Sequence, residues 1–464
     1  MFETGIRQFR MAMAMVRGRP ISPRLVERLI GDATATLREF GGPGDDVAQL
    51  LDGPFADPDE REHFQTQAVR RTARRLAATS PYYATLFDRS GIDPGALDLD
   101  GLRRIPLTTK ADLTARPDDF RCTGSSPHLA TRTTGTTGVP AEIWLSVYES
   151  RLWPAMAALS GLLRNEINPA DCLQVNLSSR ATAAVLHDVE VCRLVGARCR
   201  VLGLVPVEQS LDALLDETVT VLGAYPSYLA ELVTLARRRG LKPADFALRR
   251  VDVAGEILSA SLAQAVRTTF GCAVTDTFAM TEILPVSGRT CMHGHLHLDP
   301  NMGLAEVLPL TSDEPAGPGE LGRLVVTPYY PYRECMPVFR YDTKDLVRVL
   351  DGPPGCELAG IPAVSPVQGK AAQLAGPVTP RDIIEALESL PTEPWPARYR
   401  ATYSNGTLHL DLPAATLAGL TTAEAVRPFA DRGIACEIGV AAEDAPLRHV
   451  RADLLETTFV PVGV

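Results

Sequence analysis

Residues Thr131–Pro140 read TRTTGTTGVP and lead into the β-like run AEIWLS. Hydroxyls at Thr133, Thr134, Thr136 and Thr137 can donate to phosphate oxygens, while Gly135 and Gly138 let backbone N–H groups turn inward without a Cβ clash. The stretch lacks the Gly-Lys-Ser/Thr ending of a P-loop, so it is not a Walker motif. Taken alone it has two readings, an ordinary turn or a phosphate cradle. From here to Val349, β-like runs (CLQVNL, ARCRVLGL, TVTVLGAY, RRVDVAGE, CAVTDTFA) alternate with helical stretches (YESRLWPAMAALSGLL, AVLHDVEVCRLVG, PSYLAELVTLARRRG, ASLAQAVRTTF). That alternation predicts βαβ units and an α/β fold whose sheets are covered by helices.

Upstream, Ile21 to about Arg89 has helical spacing, as in VERLIGDATATLREF and HFQTQAVRRTARRLAAT. Downstream, DGPPGCELAGIPAVSPVQGK is too dense in Gly and Pro for regular structure and reads as a linker. Beyond it, PRDIIEALESL reads as a helix, RYRATYS and TLHLDL as strands joined through Asn405-Gly406, TTAEAVRPFADRG as a helix and ACEIGVA as a strand. The expected organisation is a helical segment over 1–90, the core of a large domain over 91–369, and a small C-terminal α+β domain over 370–464.

The 464 residues carry 46 Lys plus Arg against 56 acids, a formal net charge of −10, with no basic stripe, which argues against nucleic-acid binding. The opening MFETGIRQFRMAMAMVRGRP is interrupted by Arg7, Arg10 and Arg17 and reads as an amphipathic helix, not a signal peptide. No stretch approaches the ~18 uninterrupted apolar residues of a membrane span. Nine scattered cysteines do not form a disulfide framework. The expectation is a soluble cytoplasmic protein, with a homodimer left open among its assemblies. Only four lysines occur, Lys110, Lys242, Lys344 and Lys370.

The segments TRTTGTTGVP, AYPSYLAEL, VAGEILSASL, DTFAMTEI, GELGRLVVT and MPVFRYDTKDLV occur in this order. In order and approximate spacing they resemble the adenylate-forming superfamily, most closely the phenylacetate–CoA ligase family. The resemblance runs from about Tyr82, through the PLTTKADL segment with Lys110, into the C-terminal domain. It implies an AMP-forming ligase that uses ATP and Mg²⁺ to convert an aromatic or other small carboxylic acid into an acyl adenylate. CoA, a carrier protein or an amine would then accept the acyl group.

Residue by residue, the resemblance implies that Thr133, Thr134, Gly135, Thr136, Thr137 and Gly138 wrap the β- and γ-phosphates. Ala254, Gly255 and Glu256 lie along the adenine and the Phe278 ring packs on it, while Thr281 meets the α-phosphate and Glu282 helps hold Mg²⁺. Asp345 binds the ribose hydroxyls. Tyr225, Ser178 and Met280 belong to the acyl pocket. Arg180 has two readings, recognition of a second anionic group or a solvated helix-start residue. Some relatives carry a structural zinc, and Cys291, His297 and Cys356 stand in matching places, with Glu357 or Cys335 as conceivable fourth ligands.

The sequence also departs from that pattern. The family's linker reads Gly-Arg-x-Asp-Asp, whereas this chain has QGKAAQ, with Lys370 for Arg and Ala372 and Gln373 near the acids. The family's small domain acts as a lid and delivers a lysine to the reacting carboxylate and α-phosphate, yet no lysine follows Lys370. Arg448, Lys344 and Lys370 are the candidate substitutes. Phe278 replaces the usual Tyr, Ala279 a Gly and Lys344 a Gly. These departures keep two alternatives open: a different condensation on the same scaffold, or a catalytically silent nucleotide- or acyl-binding homologue.

Overall fold

The computed structural model describes residues 2–40, 57–133, 140–216, 218–392 and 395–442. It divides into two compact units, Met1–Leu173 with Ser179–Arg200 and Phe278–Pro366, and Gln174–Ser178 with Val201–Thr277 and Val367–Val464. The principal helices of the first are α1 (Phe2–Val16), α2 (Pro23–Phe40), α3 (Pro58–Thr79), α4 (Pro81–Ser90), α5 (Lys110–Ala115), α6 (Val147–Leu163) and α7 (Thr182–Val195). Those of the second are α8 (Val207–Leu215), α9 (Pro226–Arg238), α10 (Ala260–Phe270), α11 (Pro380–Leu387) and α12 (Thr422–Ala430).

The strands in chain order are β1 (Pro127–Arg132), β2 (Glu142–Ser146), β3 (Cys172–Asn176), β4 (Arg198–Val201), β5 (Val221–Ala224) and β6 (Arg250–Ala254). They continue as β7 (Ala273–Ala279), β8 (Ser287–Thr290), β9 (Leu296–Leu298), β10 (Gly303–Pro309), β11 (Leu321–Pro328) and β12 (Tyr341–Arg348). The last are β13 (Ala363–Val364), β14 (Gly369–Lys370), β15 (Arg400–Ser404), β16 (Thr407–Leu412) and β17 (Cys436–Val440). The expected α/β architecture and the C-terminal αββαβ order are both present.

In the second unit β5, β6 and β7 run parallel, with Ala224 opposite Val253 and Ala254 opposite Thr277, and β3 flanks β5. Val221, Leu222 and Ala224 are all buried, the near-continuous apolar pattern of a strand covered on both faces. On α9, Leu229, Leu232, Val233 and Ala236 recur at helical spacing and are buried. Because the strands are parallel neighbours, the turns leaving β5 and β6 emerge side by side at the carboxyl edge, where α/β sheets place their ligands.

Farther along this unit, β15 and β16 form an antiparallel hairpin and β17 joins β16 in parallel. Asn405 and Gly406 have φ of 50° and 81°, the left-handed pair of a type I′ turn. Leu408, Leu410 and Leu412, on one face of β16, pack with Ile383, Ile384 and Leu387 of α11 and Phe429 of α12 in one core.

In the first unit β10, β11 and β12 form an antiparallel sheet, β1 pairs with β2, and β9 lies between β8 and β13. Helix α6 packs on α2 and α7. It starts with a reciprocal cap, Glu149 N donating to Ser146 Oγ at 3.1 Å and Ser146 N to Glu149 Oε2 at 2.6 Å. The other oxygen of the buried Glu149 accepts the amides of Glu334 and Cys335, which satisfies a carboxylate fully withdrawn from water. Among the described residues no helix is long and apolar enough to cross a membrane.

Candidate functional site

The base of the Thr/Gly stretch is fixed by strand pairing. Arg132 stands opposite Glu142, and Thr133 N donates to Ala141 O while Ala141 N donates to Thr133 Oγ1, both at 3.0 Å. Thr134, Gly135, Thr136, Thr137 and Gly138 lie outside the described residues, and so does Arg448.

Within the first unit, the structure brings together residues that are far apart in sequence. Glu282 is buried, accepts the Tyr341 hydroxyl at 3.4 Å and faces the Lys110 ammonium at 4.0 Å. Lys110 opens α5, whose cap is built by Thr109 and Asp112. Tyr341 begins β12, and its phenol is held well above the ordinary range by burial and by the neighbouring Glu282 charge. The Lys110–Glu282 pair was not assigned from sequence, because nothing local links a helix start to a carboxylate in a later motif. The scarcity of lysine was the available signal.

The segment FRYDTKDL is held by a buried arginine. Arg340 donates through Nη1 to the carbonyls of Leu102 and Ile105, both at 2.7 Å, and pairs with Glu306 at 3.0 Å. Asp342 is buried and accepts from Lys344 Nζ at 2.6 Å and from Arg323 Nη1 at 3.2 Å. Lys344 has φ of 62°, the left-handed conformation that favours glycine. Asp345 is buried, and its amide donates to Thr343 Oγ1 at 3.1 Å. Phe278, Met280 and Thr281 are half-buried around the end of β7, with the Met280 carbonyl accepting from Ile283 and Leu284. Arg180 is exposed just before α7.

A second cluster in this unit contains Cys291, His295, His297 and Cys356, whose ligand atoms all lie within 4.8 Å of one another. Cys356 Sγ is 3.3 Å from His297 Nε2. His297 Nδ1 lies 3.0 Å from Ile361 O, an arrangement in which Nδ1–H donates to the carbonyl and Nε2 stays available as a ligand atom. Gly294, at φ 83°, turns the chain between Cys291 and His295 so that His295 N donates to Cys291 Sγ at 3.3 Å.

The fourth member is therefore His295, neither of the residues named from the sequence. Glu357 instead accepts Met292 N at 3.0 Å, and the buried Cys335 offers its carbonyl to Cys122 N and its sulfur to Ser125 Oγ. The spacing Cys291-Met-His-Gly-His295 carried the missed signal.

In the second unit, Tyr225 is buried at the start of α9 and Ser178 is buried beyond the end of β3. Below Ser178, Gln174, Asn176 and Ser210 form a fully buried network, with Gln174 Nε2 donating to Asn176 Oδ1 and Ser210 Oγ donating to the same oxygen, both at 3.0 Å. Ala254 closes β6, Gly255 takes φ of 81°, and Glu256 Oε2 accepts the Ser227 amide of α9 at 2.8 Å.

The amide of Lys370 donates to Gln373 Oε1 at 3.1 Å. Glu388, just past α11, accepts the Ser259 hydroxyl at 2.5 Å and the Ala397 amide at 3.2 Å, while burial pushes its carboxyl up to about 7. Arg381 of α11 donates to Leu258 O at 3.0 Å, and Glu385 accepts Ala260 N at 3.0 Å. Arg381, Glu385 and Glu388 thus grip the start of α10, a set of contacts without a sequence signature.

The pattern of the AMP-binding enzyme family matches residues 84–326. Over 304 residues the chain is 26% identical to the phenylacetate-coenzyme A ligase of Thermus thermophilus, and the match covers 61% of this chain and 64% of that protein's length. It is 24% identical over 311 residues to the enzyme of the same name from Escherichia coli, covering 64% of this chain and 69% of that one. The fold is similar to that of 2-hydroxyisobutyryl-CoA ligase in the postadenylation state with its acyl-AMP, at a TM-score of 0.71 and 18% identity over 85% of this chain and 89% of that chain.

Proposed function

The chain belongs to the AMP-binding enzyme family, and from that membership we propose that it is an AMP-forming ligase for an aromatic or other small carboxylic acid. The substrate carboxylate attacks the α-phosphorus of ATP, pyrophosphate leaves, and the acyl adenylate forms. A nucleophile, the thiol of CoA or of a carrier protein or else an amine, then attacks the carbonyl and releases AMP. The observation that carries this reading is the buried Glu282 carboxylate, held by Tyr341 and faced by Lys110.

Each residue has a proposed task. Glu282 supplies a hard oxygen for Mg²⁺, which would neutralise charge on the phosphates. Lys110 and Tyr341 hold that oxygen in place. Asp345 takes the ribose hydroxyls, Thr281 the α-phosphate, and Thr133 to Gly138 the terminal phosphates. Ala254 to Glu256 and Phe278 are assigned to the adenine, and Tyr225, Ser178, Met280 and Arg180 to the acid. Residues 370–464 serve as the lid, with Lys344, Lys370 and Arg448 as the candidates for the charge that the family draws from a lid lysine.

Cys291, His295, His297 and Cys356 fit zinc, since two thiolates and two imidazoles at this spacing match a closed tetrahedral structural site. The ion would tie the β8–β9 hairpin to the segment before β13.

Pyrophosphate and AMP release over a panel of aryl and small aliphatic acids, with and without CoA, tests the reading on wild type beside Lys344→Ala, Lys370→Ala and Arg448→Ala. Nucleotide release with an acid supports it, and no turnover of nucleotide with any acid overturns it. Two other readings, a different condensation on the same scaffold and silent nucleotide or acyl binding, are favoured by the absence of lysine between 371 and 464. Binding of Mg²⁺·ATP without release of AMP or pyrophosphate is the signature of silent binding, and a product other than an acyl-CoA is that of the different condensation.

A further inference from the structure

Helix α9 begins without a cap from its own sequence. Tyr225, at the N-cap position, makes no side-chain cap bond, and Pro226 fills the first turn. The amide of Ser227 is satisfied instead by Glu256 Oε2 at 2.8 Å, a carboxylate 29 residues later in the chain. A carboxylate at this end of a helix also meets the positive pole of the backbone dipole.

The fold explains how Glu256 gets there. β5 and β6 are parallel neighbours with Ala224 opposite Val253, so the start of α9 and the turn Ala254-Gly255-Glu256 leave the sheet together. Gly255 has φ of 81°, open to glycine and costly for any residue with a Cβ, and the reversal turns Glu256 back towards α9. Two further anchors complete the frame. The Tyr228 hydroxyl donates to Val205 O at 2.7 Å, and Ser259 caps α10 by accepting Leu262 N at 3.0 Å. The segment from 254 to 259 therefore sets the starts of two helices.

We infer that Glu256 is a positioning residue that couples nucleotide recognition to acid recognition: the backbone of its turn serves the adenine while its carboxylate sets the start of α9 and hence the place of Tyr225. This rests on the proposed roles of the 254–256 turn and of Tyr225. Adenine settling on the turn tightens the cap, and the cap fixes one wall of the acid pocket.

Hydrogen exchange of the peptide spanning 225–233, measured with and without Mg²⁺·ATP on the full chain, tests the inference with Glu256→Gln and Glu256→Ala. The glutamine keeps an acceptor oxygen and loses the charge; the alanine loses both. The expected result is exchange roughly five- to tenfold faster in Glu256→Ala, with Glu256→Gln in between, since losing a cap costs a helix start about that much. Mg²⁺·ATP is expected to add protection in wild type and little in Glu256→Ala. Unchanged exchange in both variants, or no ATP effect on α9 in a wild type that binds ATP, overturns the inference and leaves the ligase reading intact.

If calorimetry shows that wild type binds no ATP, the ligase reading fails and the coupling with it, while the exchange rates without nucleotide still decide the cap. Where wild type turns over, Glu256→Gln is expected to raise KM for the acid several-fold and KM for ATP by a smaller factor, because a cap that ATP tightens must in turn favour ATP. A rise in KM for ATP alone overturns the coupling.

Discussion

Lys344 reaches back two residues and places its ammonium 2.6 Å from the buried Asp342 carboxylate, which Arg323 also contacts at 3.2 Å. It does so from φ of 62°, where a side chain is strained and glycine is not. Both Lys344→Ala and Lys344→Gly remove the ion pair, so their difference isolates the backbone. Lys344→Gly is expected to be the more stable of the two by about 1 kcal/mol, after glycine's extra chain entropy is set against the relief of strain. Paired urea melts check this, and equal stabilities would show that the strain in the turn is no larger than glycine's extra chain entropy.

Glu282 sits between a cation and a phenol, and the distances rank its partners. Glu282→Gln keeps the shape and removes the charge proposed to meet Mg²⁺, so pyrophosphate release is expected to fall by about 100-fold or more. Tyr341→Phe loses a hydrogen bond already stretched to 3.4 Å, and its effect is expected to stay within about fivefold. Initial rates at saturating acid and ATP, with melting curves to confirm folding, give the ranking; a larger loss in Tyr341→Phe than in Glu282→Gln would reverse the assignment.

What the sequence made legible was local. The Asn405-Gly406 turn announces itself because few other residue pairs accept two left-handed positions in succession, and the structure has both. The parallel strands announce themselves because burial on both faces leaves runs such as VLGA almost free of polar residues. Contacts between distant segments were not legible. Ser259 and Glu388 are 129 residues apart and join the start of α10 to the chain beyond α11, a pairing that no period or spacing encodes. His295 is different, because its signal was local: the turn at Gly294 brings it back to Cys291, four residues earlier in the same hairpin.

The Cys291, His295, His297 and Cys356 cluster gives a prediction with a direct elemental readout. Purified protein is expected to carry about one zinc per chain, because two thiolates and two imidazoles complete the tetrahedron. His295→Ala and Cys291→Ser should lose most of the metal, whereas Glu357→Ala should keep it, since Glu357 faces the Met292 amide. Cobalt exchanged into the site should show the intense visible bands of tetrahedral coordination and sulfur charge transfer. Retention of full zinc in His295→Ala would remove His295 from the ligand set.

Glu388 predicts a pH dependence whose direction follows from its environment. Burial pushes its carboxyl from the ordinary 4.5 up to about 7, and the nearby Glu385 and Glu256 charges add to the rise, while the Ser259 hydroxyl and Ala397 amide offset part of it. A carboxyl raised in the folded state binds its proton more tightly there than in the unfolded chain. Its contribution is therefore complete below about pH 4.5 and declines as pH rises to about 7, by up to about 3 kcal/mol.

Glu388→Gln keeps an oxygen for Ser259 and cannot ionise. The variant is thus expected to gain stability relative to wild type between pH 5 and pH 8, the excess appearing only at the higher value. Taking the difference between the two proteins cancels the titration of groups that behave alike in both. Urea denaturation at the two pH values measures it, and an equal offset at both would mean that Glu388 titrates like an ordinary carboxyl and that its contact with Ser259 is no more than a neutral hydrogen bond.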